Sequence, residues 1–143
     1  MNTYLNDIFN LDGKVAVVTG AGGHLCSEMA KGLARVGCAV AILDLRLEKA
    51  EAVEKDIRSE GLDSVMSLAI DVAKKEEHIS AIKEILEKFD QVDILINGAG
   101  INSPSPFLEI TLEEWHAVLN SQLTGTFLGC QVFGGHMFER ESG

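Results

Sequence analysis

Lys14-Val15-Ala16-Val17-Val18-Thr19-Gly20-Ala21-Gly22-Gly23-His24-Leu25-Cys26 runs from an unbroken β-branched segment straight into a glycine-rich bend. The first six residues are apolar on both faces, which suits a strand buried in the middle of a parallel sheet. The segment from Leu25 to Val36 then carries Leu25, Met29, Leu33 and Val36 at helical spacing, and Gly37 stands where a helix C-terminus wants glycine. A strand, a bend of small residues and a helix in that order form a ready anion cradle. Gly20, Gly22 and Gly23 bring main-chain N–H groups close to a ligand, and the positive end of the helix faces the same point.

The same alternation continues outward. Ala39 to Leu43 predicts a second strand ending at Asp44, and Leu47 to Glu60 a helix with Ala50, Val53 and Ile57 facing inward beside Leu47. Val65 to Ile70 predicts a third strand ending at Asp71, followed by a helix over Lys75 to Phe89 with Ile79, Ile82, Leu86 and Phe89 in step. Ile94 to Asn97 predicts a fourth strand running into Gly98-Ala99-Gly100. Pro104 and Pro106 mark the segment from Ile101 to Ile110 as a loop. Thr111-Leu112-Glu113-Glu114 reads as a capping box opening a last helix to about Phe138, with Gly125, Gly134 and Gly135 as weak points. The pattern βαβαβαβα means right-handed crossovers and a parallel sheet. The expected fold is therefore α/β, a doubly wound parallel sheet of Rossmann type, with residues 1–143 as one dinucleotide-binding domain.

In such a fold ligands lie beyond the C-terminal ends of the strands. Gly20, Gly22, Gly23, His24 and Leu25 are expected to hold a pyrophosphate. Asp44, twenty-one residues after Gly23, is placed to accept from ribose hydroxyls, and its charge favours NAD over NADP; Arg46 nearby softens that preference. A solvated N-cap is the plainer reading of Asp44. Asp71 is suited to accept from an adenine amino group, or to cap the following helix. Asn97, with Ala99 and Gly100 beyond it, offers an amide that ties neighbouring segments together and small residues against which adenosine can lie; a plain turn is the alternative.

Composition narrows the partners. A formal net charge of −10 repels phosphate backbones and argues against nucleic acid. No apolar run approaches the roughly 18 residues of a membrane span. The start, Met1 to Asp7, lacks the basic and apolar regions of a signal peptide. Cys26, Cys38 and Cys130 form no C-x-x-C pair, and the histidines His24, His78, His116 and His136 show no ligand spacing, so no metal site is expected. Three unpaired cysteines fit a reduced, cytoplasmic setting.

Taken together, the ordered sites resemble the short-chain dehydrogenase/reductase family. Thr19 to Cys26 corresponds in part to its Thr-Gly-x-x-x-Gly-x-Gly bend, Asp44 to the acidic residue of NAD-dependent members, Asp71-Val72 to Asp-Val, and Asn97 to Gly100 to Asn-x-Ala-Gly. Trp115 and Leu123-Thr124-Gly125-Thr126-Phe127 correspond to its next helix. The run Gly-Gly-x-Leu-Cys-Ser is similar to the branch of D-mannonate and related sugar-acid oxidoreductases. The resemblance implies a dinucleotide cofactor, with Val72 among its contacts, and hydride transfer between NAD(H) and a hydroxyl or carbonyl.

Three departures qualify what the resemblance implies. The later turn glycines fall on His24 and Cys26; cysteine is small enough to keep helix and strand close, and His24 must point away from the cofactor or donate to it. The family's helix asparagine aligns with Gln122, which keeps the amide on a longer arm. The catalytic serine and Tyr-x-x-x-Lys have no counterpart, because the only tyrosine, Tyr4, has Ile8 four residues on. Without that acid and base the chain alone is expected to be catalytically incompetent. A small-molecule substrate then belongs to a longer parent, whose pocket only the loop from Ile101 to Phe107 would touch here. The fold is expected to be C-terminally incomplete relative to the family, in strand order 3-2-1-4-5 with the fourth strand exposed, which favours homo-oligomers or other self-association. A non-catalytic nucleotide-binding or interaction module is the alternative. A methyltransferase of similar topology is disfavoured by Val17, Val18 and Thr19, where that class carries an acidic residue.

Overall fold

Strand, bend and helix follow one another as the residue pattern predicts. The computed structural model describes Ile8 and residues 10–143; Met1 to Asp7, including Tyr4 and the segment read above as lacking a signal peptide, lie outside the described residues. The elements are β1 (Val15–Thr19), α1 (His24–Arg35), β2 (Ala39–Asp44), α2 (Leu47–Ser59), β3 (Val65–Ala69), α3 (Lys75–Phe89) and β4 (Ile94–Asn97). A short 3₁₀ turn (Phe107–Glu109) precedes α4 (Leu112–Leu119), a π turn (Asn120–Thr124) and α5 (Gly125–Glu139). The sheet is parallel throughout and its order is β3-β2-β1-β4. Thr19 stands abreast of Leu43 on one side and Asn97 on the other, so the bends after β1, β2 and β4 leave the sheet at one end.

Side chains of a strand alternate between faces, and β1 shows it. Ala16 and Val18 join a core with Cys26, Ala30 and Ala34 of α1 and Ala50, Val53 and Ile57 of α2. Val15 and Val17 join a second core with Ala81 and Ile85 of α3 and Phe133 of α5. Helices therefore cover both faces of the sheet, as the doubly wound reading requires.

The apolar stripe expected on α1 is corrected. Cys26, Ala30 and Ala34 are the buried ones, while Leu25, Met29 and Val36 are 68%, 40% and 43% exposed. Small side chains let this helix lie close to β1, and only the partly buried Leu33 of the long ones also packs inward. In α3 the centre of the buried face is His78, Ala81 and Ile85; Ile82, Leu86 and Phe89 flank it and Ile79 points outward. In α2 Ala50, Val53 and Ile57 pack as expected, and Leu47 does not.

The last helix does not break at its glycines. It runs through Gly125, Gly134 and Gly135 and instead widens into the π turn at Asn120–Thr124. Gly125 has a packing role: a Cβ there would stand 2.8 Å from Val72 Cγ2. Thr111 caps α4 by accepting from Glu114 N at 3.2 Å, one half of the expected box. Among the described residues β4 pairs only with β1 and ends the sheet. Among the described residues no helix is long and apolar enough to cross a membrane.

Candidate functional site

The bend after β1 is built against its neighbours on both sides. Gly20 has φ +68°, open to glycine at little cost, and a Cβ there would meet Ala99 Cα at 2.7 Å. Thr19 is buried, and its hydroxyl accepts from Gly98 N at 3.1 Å and Ala99 N at 3.3 Å. The end of β4 is thereby tied to the end of β1. Gly23 N donates to Gly20 O, closing the turn, and Gly23 is the N-cap of α1 with no side chain capping it. The first turn of α1 also lacks an acidic residue. The helix start is thus left to an outside acceptor, as an anion cradle requires. His24 and Leu25 are exposed at this start.

Asp44 turns toward that bend. Its Oδ2 accepts from Gly22 N at 3.0 Å and its Oδ1 from Arg46 N at 3.0 Å. Glycine is required at 22, because a Cβ would stand 2.8 Å from Asp44 Oδ2 and 2.6 Å from Lys49 Cβ. The N-cap of α2 is Arg46, so Asp44 does not serve as one. Each carboxylate oxygen has a second lone pair, and Asp44 keeps acceptor capacity while held in place.

Asp71 likewise is not a helix cap; Lys74 occupies that position. Asp71 Oδ1 accepts from Ala73 N at 3.0 Å, and Lys74 Nζ lies 3.4 Å from Oδ2. Asp71 N donates to Glu77 Oε2, and this bond, together with Lys74, holds the Glu77 carboxyl below the usual carboxylate range. Val72 is buried and lodged against Gly125.

Beyond β4, Asn97 Nδ2 lies 3.4 Å from Cys130 Sγ, with its amide against Gly129 of α5. Gly98 leaves room for Cys26, whose Sγ is 3.8 Å from Gly98 O. The small cysteine therefore does what the departure from glycine allowed. Burial, and then the Asp44 charge, push its thiol up, away from the thiolate. The space beside Gly100 is taken by Gln122, whose Cγ would lie 2.7 Å from a Cβ there. Gln122 Nε2 donates to Ile101 O at 2.8 Å. An open polar cleft is lined by Asn97, Gly98, Ala99, Gly100, Gln122 and Thr126.

Two features escaped the sequence reading. One is a latch on the loop after β4: Ser121 Oγ accepts from Ile101 N, and Glu114 accepts from Ser103 Oγ at 2.6 Å and Ser105 N at 3.3 Å. Those bonds hold the Glu114 carboxyl below its usual range. The only signal was a second carboxylate beside Glu113 in the first turn of α4. The other is His78, wholly buried in the face of α3; its signal was a histidine three residues before Ala81, in step with the inner face.

A family model described as short chain dehydrogenase matches residues 14–143. An uncharacterized oxidoreductase of Bacillus subtilis (strain 168) is 40% identical, with 93% of this chain and 53% of the relative covered. A solved structure of a putative D-mannonate oxidoreductase from Haemophilus influenza, with bound NAD, superimposes with TM-score 0.85 at 32% identity, covering 93% of this chain and 53% of that one. A metagenomic short-chain oxidoreductase in complex with NADP gives TM-score 0.85 at 28% identity, covering 94% of this chain and 61% of that one. The chain spans about half the length of the curated relative it matches.

Proposed function

The chain belongs to the short-chain dehydrogenase family, and we propose that its 143 residues act as one dinucleotide-binding domain, the NAD-binding portion of an oxidoreductase. The observation that carries this reading is the bond from Gly22 N to Asp44 Oδ2, which brings the glycine bend and the strand-end carboxylate to one point. The uncapped start of α1, with Gly20, Gly22, Gly23, His24 and Leu25, takes the pyrophosphate. Asp44 accepts from the adenosine ribose and repels a 2′-phosphate, which favours NAD over NADP. Asp71 and Val72 meet the adenine, and Asn97, Ala99 and Gly100 support the cofactor beyond β4. When bound, NAD supplies the hydride acceptor for a hydroxyl-bearing substrate; a sugar acid is the class we propose, on the likeness to the solved putative D-mannonate oxidoreductase with bound NAD.

No tyrosine in this sequence has a lysine four residues on. A second reading is a module that binds the dinucleotide without turning it over. Proton transfer to a developing alkoxide needs a positioned acid, and the described site holds none at the cleft beside Gln122.

Calorimetric titration tests the binding reading: NAD binds, and NADP binds more weakly. No heat with either dinucleotide ends the proposal. Incubation with NAD and a panel of sugar acids is expected to yield no NADH from this chain, and robust production would overturn the second reading. The unpaired outer edge of β4 and the exposed apolar side chains Trp115 of α4, Leu123 of the π turn and Phe127 of α5 favour self-association. Sedimentation is expected to detect oligomers, and a monomer at high concentration would contradict that.

A further inference from the structure

His78 is wholly buried and reaches the proposed cofactor site only through the main chain of Val72. Its Nε2 lies 2.8 Å from Val72 O, and its ring packs edge-on against Phe133 at 5.9 Å between centroids. Its Nδ1 is buried and has no hydrogen-bond partner among the described residues. A carbonyl can only accept, so the proton of the neutral ring sits on Nε2. A second proton on Nδ1 would find no acceptor.

The peptide unit between Val72 and Ala73 is held at both ends. Its oxygen accepts from His78 Nε2, and its N–H donates to Asp71 Oδ1 at 3.0 Å. Peptide units are planar. Fixing the oxygen from inside the core therefore fixes the direction of the N–H, and with it the carboxylate that accepts from it. The Val72 side chain, lodged against Gly125, holds the same unit against rotation.

We infer that His78 is a positioning residue: by gripping the Val72–Ala73 peptide from the core side, it aims the Asp71 carboxylate at the adenosine end of the dinucleotide site. The inference rests on the reading of Asp71 as an adenine contact. It explains why a polar ring stands where the neighbouring inner-face residues, Ala81 and Ile85, are apolar. A phenylalanine would fill the space against Phe133 but leave the Val72 carbonyl buried without a donor.

The test uses the whole chain with NAD and with adenosine monophosphate, both of which carry the adenine. His78→Phe is expected to weaken binding of both by about tenfold, the scale of one buried hydrogen bond. His78→Gln, which retains an N–H donor, is expected to recover most of that loss. Combined with Asp71→Ala, His78→Phe is expected to add nothing further, since it acts through Asp71. Nitrogen NMR of the imidazole in the unsubstituted chain is expected to show the Nε2–H form, which needs no variant to fold. A proton on Nδ1 instead, unchanged affinity in His78→Phe, or losses that add fully with Asp71→Ala would each overturn the inference. Failure of the unsubstituted chain to bind either ligand would sink the dinucleotide reading and this one together. Binding that ignores His78 would sink this one alone.

Discussion

Cys26 Sγ fills the space that a side chain on Gly98 would need, so α1 and the end of β4 meet through a thiol and a bare Cα. Helix and strand are close here because each contributes a small residue. Gly98→Ala should cost about 1–3 kcal/mol through overpacking. Adding Cys26→Ala should return part of that loss, although Thr19 O remains 3.0 Å from the new Cβ. Thermal denaturation of the two variants checks this. Equal stability of the single and double variants would show that the thiol is not the obstacle.

Asp44 serves the bend and, in the proposed function, the ribose. Asp44→Asn leaves an amide oxygen for Gly22 N and removes the charge. The preference for NAD over NADP should fall by about tenfold, the scale of one charge-assisted contact, and competition titrations of both dinucleotides measure the ratio. An unchanged ratio would place cofactor choice elsewhere, with Arg46 and Lys49 the nearest candidates.

Glu114 latches the loop after β4. Its carboxyl is held low by Ser103 and then Ser105, so the latch is present above the usual carboxylate range and is lost as pH falls through the lowered value. Amide exchange at Ser105, corrected for intrinsic rate, should therefore accelerate several-fold at acid pH, and Glu114→Ala should bring that faster exchange to neutral pH. Slow exchange in the variant would mean that the bonds from Ile101 to Gln122 and Ser121 suffice to hold the loop.

Asp93 ties the start of β1 to β4. Burial raises its carboxyl, but the Val15 N–H and then Lys14 outweigh it, and the net shift is downward. Its Oδ2 accepts from Val15 N at 2.9 Å and from Gln91 Nε2 at 2.8 Å. A lowered folded value means stability that is present above the unfolded value, near pH 4, and lost as pH falls through the folded one. Asp93→Asn should cost about 2 kcal/mol at neutral pH and flatten the loss of stability as pH falls below about 4. Denaturant titrations across that range decide it; a variant with the parent's acid slope would exclude Asp93 as its source.

Sequence alone settled the order of elements and that the bends after β1, β2 and β4 leave the sheet at one end. Unbroken β-branched runs ending at Thr19, Leu43 and Ile96, and glycines after strand and helix, are local signals set by backbone sterics and turn chemistry, which need no knowledge of neighbours. That the Gly22 bend and Asp44 face one crevice followed from the same signals once the sheet was parallel. What only the tertiary structure decided is which side of an amphipathic helix lies inward and what each strand-end group bonds to. On α1 the small Cys26, Ala30 and Ala34 went inward and Leu25, Met29 and Val36 did not, because helix-to-sheet distance, not hydrophobicity alone, selects the face. The π turn carrying Gln122, the Glu114 latch and the His78 grip on Val72 all join residues far apart in chain or across a turn. Such bonds depend on distances of a few ångströms that packing sets and no residue spacing encodes.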